Sequence, residues 1–119
     1  QGTLMCHYRH HAHADPFYLP GLQDITAHVD FTEMARAGLA AGLELGAYMS
    51  QAAFLLSAGL PELLQQQAPD EAAVWLPMAN AVQKLTSLAE MGELFKVLLL
   101  TYGITVPDRL RIQDRSHRL

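Results

Sequence analysis

Residues 23–31 read QDITAHVDF. Ile25, Ala27, Val29 and Phe31 alternate with Asp24, Thr26, His28 and Asp30, the period-two pattern of a strand with one packed and one polar face. Asp30 and Glu33 have the spacing of a capping box, so a helix is expected to begin near Asp30 or Thr32 and to stop at Gly42. On the N-terminal side, residues 2–9 (GTLMCHYR) alternate as a first strand. Residues 10–22 form a loop, because Asp15-Pro16 and Pro20-Gly21 are turn signals.

On the C-terminal side, residues 43–49 (LELGAYM) read as a short strand. Ser50 then caps a helix through Phe54, Leu55 and Leu56 to a stop at Gly59. Pro61 suits the start of another helix, which runs into the glutamines 65–67. Asp70 is positioned to cap a longer helical stretch carrying Val74, Met78, Val82, Leu85 and Leu88, kinked or restarted at Pro77. A break around Gly92 precedes residues 94–102 (LFKVLLLTY), which are apolar enough for a strand covered on both faces. Strands alternating with helices predict an α/β layer with a mixed or mostly parallel sheet. From Pro107 the chain turns polar, with four arginines against Asp108 and Asp114, and residues 107–119 are expected to be a flexible tail.

The 119 residues are 50% hydrophobic and 17% charged, a composition that excludes intrinsic disorder. The net charge of -4 gives no basic footprint for nucleic acid. Cys6 is a single cysteine, so no internal disulfide exists. The longest charge-free run, residues 45–61, is interrupted by Ser50, Gln51 and Ser57 and is too short to span a membrane. Gly38, Gly42 and Gly46 repeat every fourth residue, but Arg36 and Glu44 lie among them. The N-terminus has neither the basic head nor the apolar middle of a signal peptide, and the expected location is cytoplasmic. There is no Gly-rich phosphate loop and no GxSxG elbow.

Four groups of residues are able to carry chemistry. His7, His10, His11 and His13, with Asp15 nearby, offer ligands suited to zinc, but they match no established spacing and also read as a polar strand end entering a loop. Asp24, Thr26, His28 and Asp30 form a polar row that would hold a cation or move a proton. The same row also reads as the solvated side of a half-buried strand. Gln51 follows a strand end, where ligand crevices of open α/β sheets lie. Glu93 and Lys96, beside Met91, Gly92 and Phe95, either pair at the break or touch a ligand.

Residues 2–31 (GTLMCHYRHHAHADPFYLPGLQDITAHVDF) resemble the signature of the MidA-like family of S-adenosylmethionine-dependent methyltransferases, which includes the mitochondrial complex I assembly methyltransferase. The resemblance continues through residues 50–60 (SQAAFLLSAGL) and 91–100 (MGELFKVLLL). It implies the C-terminal half of a class I (Rossmann-like) methyltransferase sheet, occupying residues 1–106, with a helical insertion at about 60–90. In this family the glycine-rich loop and the acidic residue for the cofactor ribose lie upstream, so S-adenosylmethionine binding is expected of the longer protein rather than of this chain.

The resemblance further implies methylation of a protein side chain, arginine in the mitochondrial branch. Asp24 and Asp30 would then hold the guanidinium, with Thr26 as an orienting hydroxyl. Arg9 and His11 would bind an acidic group of the substrate or brace the strand of Asp24 and Asp30. Gln51 and Phe54 would line the target pocket. No metal, nucleic acid or membrane is implied, and an exposed sheet edge is expected to promote self-association. Two other readings remain at this point: a binding or structural module without the cofactor half, and a His-rich metal-binding domain.

Overall fold

The computed structural model describes residues 3–66 and 72–119. The chain divides into two compact units, 1–30 and 31–119.

In the first unit, β1 (Met5–Tyr8) is flanked by β2 (His11–His13) and β3 (Asp24–Thr26), both antiparallel to it. Two residues join β1 to β2, and both have positive φ, Arg9 at 47° and His10 at 66°. That is the twist a two-residue hairpin requires, adopted here without glycine. The loop after β2 is held by a Phe17 N–H to Asp15 Oδ1 bond of 2.9 Å and by Gln23 Nε2 donating to the Pro16 carbonyl at 2.7 Å. Tyr18 meets the rings of Tyr8 and His13 edge-on, with centroids 6.4 and 5.3 Å away. Cys6 is fully buried.

The strand expected over residues 23–31 pairs only over Asp24–Thr26. Its apolar side is not packed, since Ile25 is 50% and Val29 55% exposed. The ladder to β1 runs out at Met5↔Thr26, and beyond it the segment is tied by His28 N–H donating to Thr3 Oγ1 at 3.0 Å.

The second unit opens with α1 (Phe31–Ala40), which starts directly after the expected cap position. It ends as predicted at Gly42, whose φ is +86°. Leu43 N–H bonds the Gly38 carbonyl and Gly42 N–H the Leu39 carbonyl, both at 3.0 Å, forming a Schellman ending. β4 (Glu44–Ser50) follows. Ser50 caps α2 (Gln51–Ala58) by accepting from Ala53 N–H, and Gly59 closes it in the left-handed conformation. α3 (Leu60–Gln66) and α4 (Ala72–Thr86) come next, and α4 runs through Pro77. Along α4 the less exposed side is Trp75, Met78, Ala79, Val82 and Thr86, one apolar stripe at helical spacing. The Asp70 cap and the last of the three glutamines lie outside the described residues.

β5 (Lys96–Thr101) pairs antiparallel with β4, from Ser50↔Lys96 to Glu44↔Thr101. The register slips between Leu45 and Ala47, leaving Gly46 as the extra residue of a bulge. A Cβ on Gly46 would come within 2.9 Å of Val106 Cγ2, so the bulge admits the chain folding back over it. On the helical side, Gly38 lets α1 approach Leu100, whose Cδ1 would lie 2.7 Å from an added Cβ.

Both described sheets are therefore antiparallel, not mixed or parallel as expected. The reason lies at the end of β4. Ala52 N–H donates to the Gly92 carbonyl and Gln51 N–H to the Phe95 carbonyl, both at 2.9 Å. The entry to β5 is thereby pinned beside the exit of β4, and a strand starting there must run back. The residues of β5 are half-buried rather than covered on both faces.

The polar tail expected to be flexible is tied to this strand pair. It contains α5 (Asp108–Arg111) and a 3-10 turn (Ser116–Arg118). Tyr48 N–H donates to Asp114 Oδ1 at 2.9 Å, and Arg115 N–H donates to the Tyr48 carbonyl at 2.7 Å. Composition suggested fraying, but the tail supplies partners that the open edge of β4 needs. No helix among the described residues is long and apolar enough to cross a membrane.

Gly92 is buried, and a Cβ there would lie 2.3 Å from the Thr86 carbonyl oxygen, a backbone atom that cannot yield. Gly92→Ala is expected to lower stability by about 2 kcal/mol or more in urea unfolding, as overpacking does. Wild-type stability in this variant would show that the turn is loosely packed.

Candidate functional site

Residues paired across an antiparallel ladder project from the same face. In the first unit this sorts the side chains without ambiguity. Met5, His7, Ala12, Asp24 and Thr26 share one face; Cys6, Tyr8, His11, His13 and Ile25 share the other. The first face is exposed throughout. Asp24 and Thr26 therefore stand together as expected, and His7 lies directly opposite Asp24. Sequence reading grouped His7 with His10, His11 and His13, either as ligands or as a polar strand end, and not with Asp24. The hairpin was the missing information, because it decides which histidine faces which strand. Thr26 Oγ1 donates to the Met5 carbonyl at 3.3 Å, leaving its lone pairs toward solvent.

Other expected members are placed differently. His11 is on the opposite face from Asp24 and Thr26, so it does not brace their side chains. Arg9 sits in the turn with its guanidinium carbon 5.4 Å from the Tyr8 ring centre, a cation–π contact. Asp30 lies beyond the end of β3, immediately before α1, so the ladder supports only the Asp24–Thr26 part of the polar row. His28, in the same row, is exposed.

The histidine cluster is dispersed by the same turn. His7 faces away from His11 and His13, and His10 occupies the turn itself. His13 Nδ1 accepts from Asp15 N–H at 3.3 Å, while its buried Nε2 has no partner among the described residues. Among the described residues no three His, Cys, Asp or Glu side chains converge to hold a metal.

In the second unit, Gln51 begins α2 and its Nε2 donates to the Leu85 carbonyl at 2.9 Å, satisfying an acceptor at the end of α4. Phe54 is half-buried on the same helix. Glu93 and Lys96 do pair, at 3.3 Å, and Lys96 Nζ also reaches the Glu93 carbonyl. Arg115 comes from the tail to the same Glu93 oxygen, also at 3.3 Å. The hydrogen bond from Lys96, and then one from the Ser50 hydroxyl, hold Glu93 below the ordinary carboxylate range; slight desolvation opposes them, and the nearby Lys96 and Arg115 charges add to them. Burial acts most strongly on Asp114 and raises its pKa. The bonds from Tyr48 N–H and from the Ser116 hydroxyl and N–H, with the His117 charge, outweigh it, and the net shift is downward. Sequence reading missed Asp114 and Arg115. The signal available was Asp114-Arg115-Ser116, an Asx-turn sequence.

The residues present do not form a cradle for S-adenosylmethionine. Among the described residues no glycine-rich turn opens a helix and every strand pairs antiparallel, so they show no crevice at the carboxyl ends of parallel strands.

Residues 1–49 match a family described as "Putative S-adenosyl-L-methionine-dependent methyltransferase". A crystal structure from Burkholderia thailandensis, described as a "likely methyl transferase" and bound to S-adenosyl-homocysteine, is 58% identical, with a TM-score of 0.87 over 100% of this chain and 31% of that one. A native crystal structure of an uncharacterised superfamily protein from the same species has the same identity and TM-score, over 100% of this chain and 32% of its own. Over its whole length the chain is therefore similar to about a third of each of these structures, and over its first 49 residues to the methyltransferase family. Curated proteins give no match. The expected fold class holds: a mixed α/β fold with a small Rossmann-like sheet and added helices, part of a class I methyltransferase fold. The chain spans about a third of the length of the superfamily structures it matches.

The Asp114 shift has a consequence for acid stability. A carboxylate with a depressed folded pKa contributes stability that is complete above its unfolded value of about 3.9 and is lost as pH falls through the folded value. Asp114→Asn is expected to be less stable than wild type near neutral pH, with the gap narrowing below about pH 4 in urea titrations. A gap independent of pH would remove the carboxylate from this role.

Proposed function

We propose that this chain is the C-terminal part of an S-adenosylmethionine-dependent methyltransferase whose longer form methylates a protein side chain, arginine. The observation that carries the proposal is 58% identity along the whole chain to a protein crystallised with S-adenosyl-homocysteine. On this reading residues 1–106 belong to the methyltransferase domain, residues 60–90 are a helical insertion, and the cofactor is held by residues upstream of this sequence. The enzyme would be cytoplasmic, and its partner a protein rather than nucleic acid or membrane.

This chain would contribute substrate positioning. The Asp24 carboxylate is exposed and able to accept two parallel N–H bonds from a guanidinium, which stays protonated. Thr26 Oγ1, with its proton occupied by the Met5 carbonyl, presents acceptors on the same face. Asp30 would supply the second carboxylate. Arg9 and His11 would meet an acidic group on the substrate protein, His11 from the opposite face of the sheet. Gln51 and Phe54 would shape the target pocket. Methyl transfer depends on holding nucleophile and methyl in line, so residues that hold the substrate carry much of the rate. Unpaired backbone on a sheet edge would support self-association.

The test is methyl transfer from radiolabelled S-adenosylmethionine to cellular protein, using a polypeptide that includes the upstream cofactor segment. Asp24→Ala and Asp30→Ala are each expected to reduce transfer about 100-fold or more, as lost positioning does. Cofactor affinity by calorimetry should be unchanged. Wild-type transfer in both variants would remove these aspartates from the site.

A further inference from the structure

The Glu93 cluster lines a pocket of about 140 Å³ in the second unit, between the end of β4, the start of β5 and the tail. Its charged walls are Lys96, Arg115, Arg118 and Glu93, three cations against one carboxylate. Lys96 and Arg115 both lean on a single oxygen, Glu93 Oε1. Arg118 has no acidic partner among the described residues. Asp114 lies four residues before it, but its oxygens are occupied by Tyr48 and Ser116.

The donor inventory is lopsided. An ammonium has three N–H donors and a guanidinium five. Glu93 and its carbonyl account for two of the Lys96 donors and one from Arg115. Lys96, Arg115 and Arg118 line the same concave space, so an anion there would meet donors that Glu93 leaves unused, with Arg118 exposed at its rim. The Lys96 side chain is only 29% exposed, so bulk water cannot fully solvate its charge. Pocket size narrows the ligand. Sites for drug-sized molecules start near 300 Å³, so this one has room for a single small group rather than a nucleotide.

We propose that this pocket binds a small oxyanion, a carboxylate or a phosphate group, through Lys96, Arg115 and Arg118. Guanidinium groups hold both in bidentate geometry. The site is independent of methyl transfer and stands whether or not the chain serves that reaction. Glu93 acts as the internal counter-ion of Lys96 and Arg115, and an incoming anion competes with it for both cations.

Backbone-amide NMR titrations of this chain with inorganic phosphate, and separately with acetate, at constant ionic strength, provide the test. Saturable shifts confined to residues around Ser50, Lys96, Arg115 and Arg118 are expected. Arg118→Ala should weaken binding about ten-fold or more, the value of one charge-assisted contact, while Arg118→Lys retains part of it. Glu93→Gln should tighten binding by removing the internal competitor. Unchanged amide shifts elsewhere will establish that each variant is folded. Saturation by phosphate alone identifies a phosphoryl ligand, and comparable saturation by acetate identifies a carboxylate. Non-saturating shifts with both anions, or equal affinity in wild type and Arg118→Ala, would overturn the proposal.

Discussion

The antiparallel ladder between β4 and β5 is the constraint on which the larger unit depends. α1 is able to settle against it because Gly38 carries no side chain where Leu100 passes. α2 leaves it through a serine cap and is held at its first turn by the Gly92 and Phe95 carbonyls, which also fix where β5 begins. The tail returns to its outer edge at Tyr48, satisfying both backbone groups of that residue. A buried amide without a partner costs about as much as a lost hydrogen bond. The side-chain oxygen of Asp114 and the backbone of Arg115 therefore act as a short substitute for a third strand.

The two polar regions of the chain are built on different physical terms. The Asp24 face is flat, exposed and solvated, so a charge there gains little until a partner excludes water from it. The Glu93 cluster is concave and assembled from segments far apart in sequence, and its charges interact at short range already. The first is suited to recognising a protein surface, the second to holding a small group.

Local signals were the legible ones. Ser50 and Gly59 bounded α2, and Gly42 ended α1, because caps depend on a few neighbouring residues and specific φ values. Strand extent and sheet direction were not legible. Residues 23–31 alternate over their whole length, yet only three pair, because pairing depends on where β1 begins, at Met5. Which histidines share a face was hidden for a similar reason: alternation along one strand says nothing about a turn that reverses it. The resemblance was carried by ordered motifs, and it pointed to the same methyltransferase likeness that the comparisons find, although most of the relatives' length lies outside this chain. The Arg115 and Arg118 side of the pocket was hidden because a polar composition describes a frayed end and an anchored one equally well.

The two strands of the central ladder are separated in sequence by the helical stretch between Ser50 and Lys96. The entropy of closing such a loop rises only with the logarithm of its length, about 0.6 kcal/mol for each doubling. The ends of that stretch are fixed by their own hydrogen bonds at Ala52 and Gln51. Evolution is thus free to lengthen, shorten or exchange the helices between these anchor points at small thermodynamic cost, while the strand pair keeps its register. In a family of related chains, this excursion is where architecture can diversify first and where new specificities can be grafted without rebuilding the scaffold.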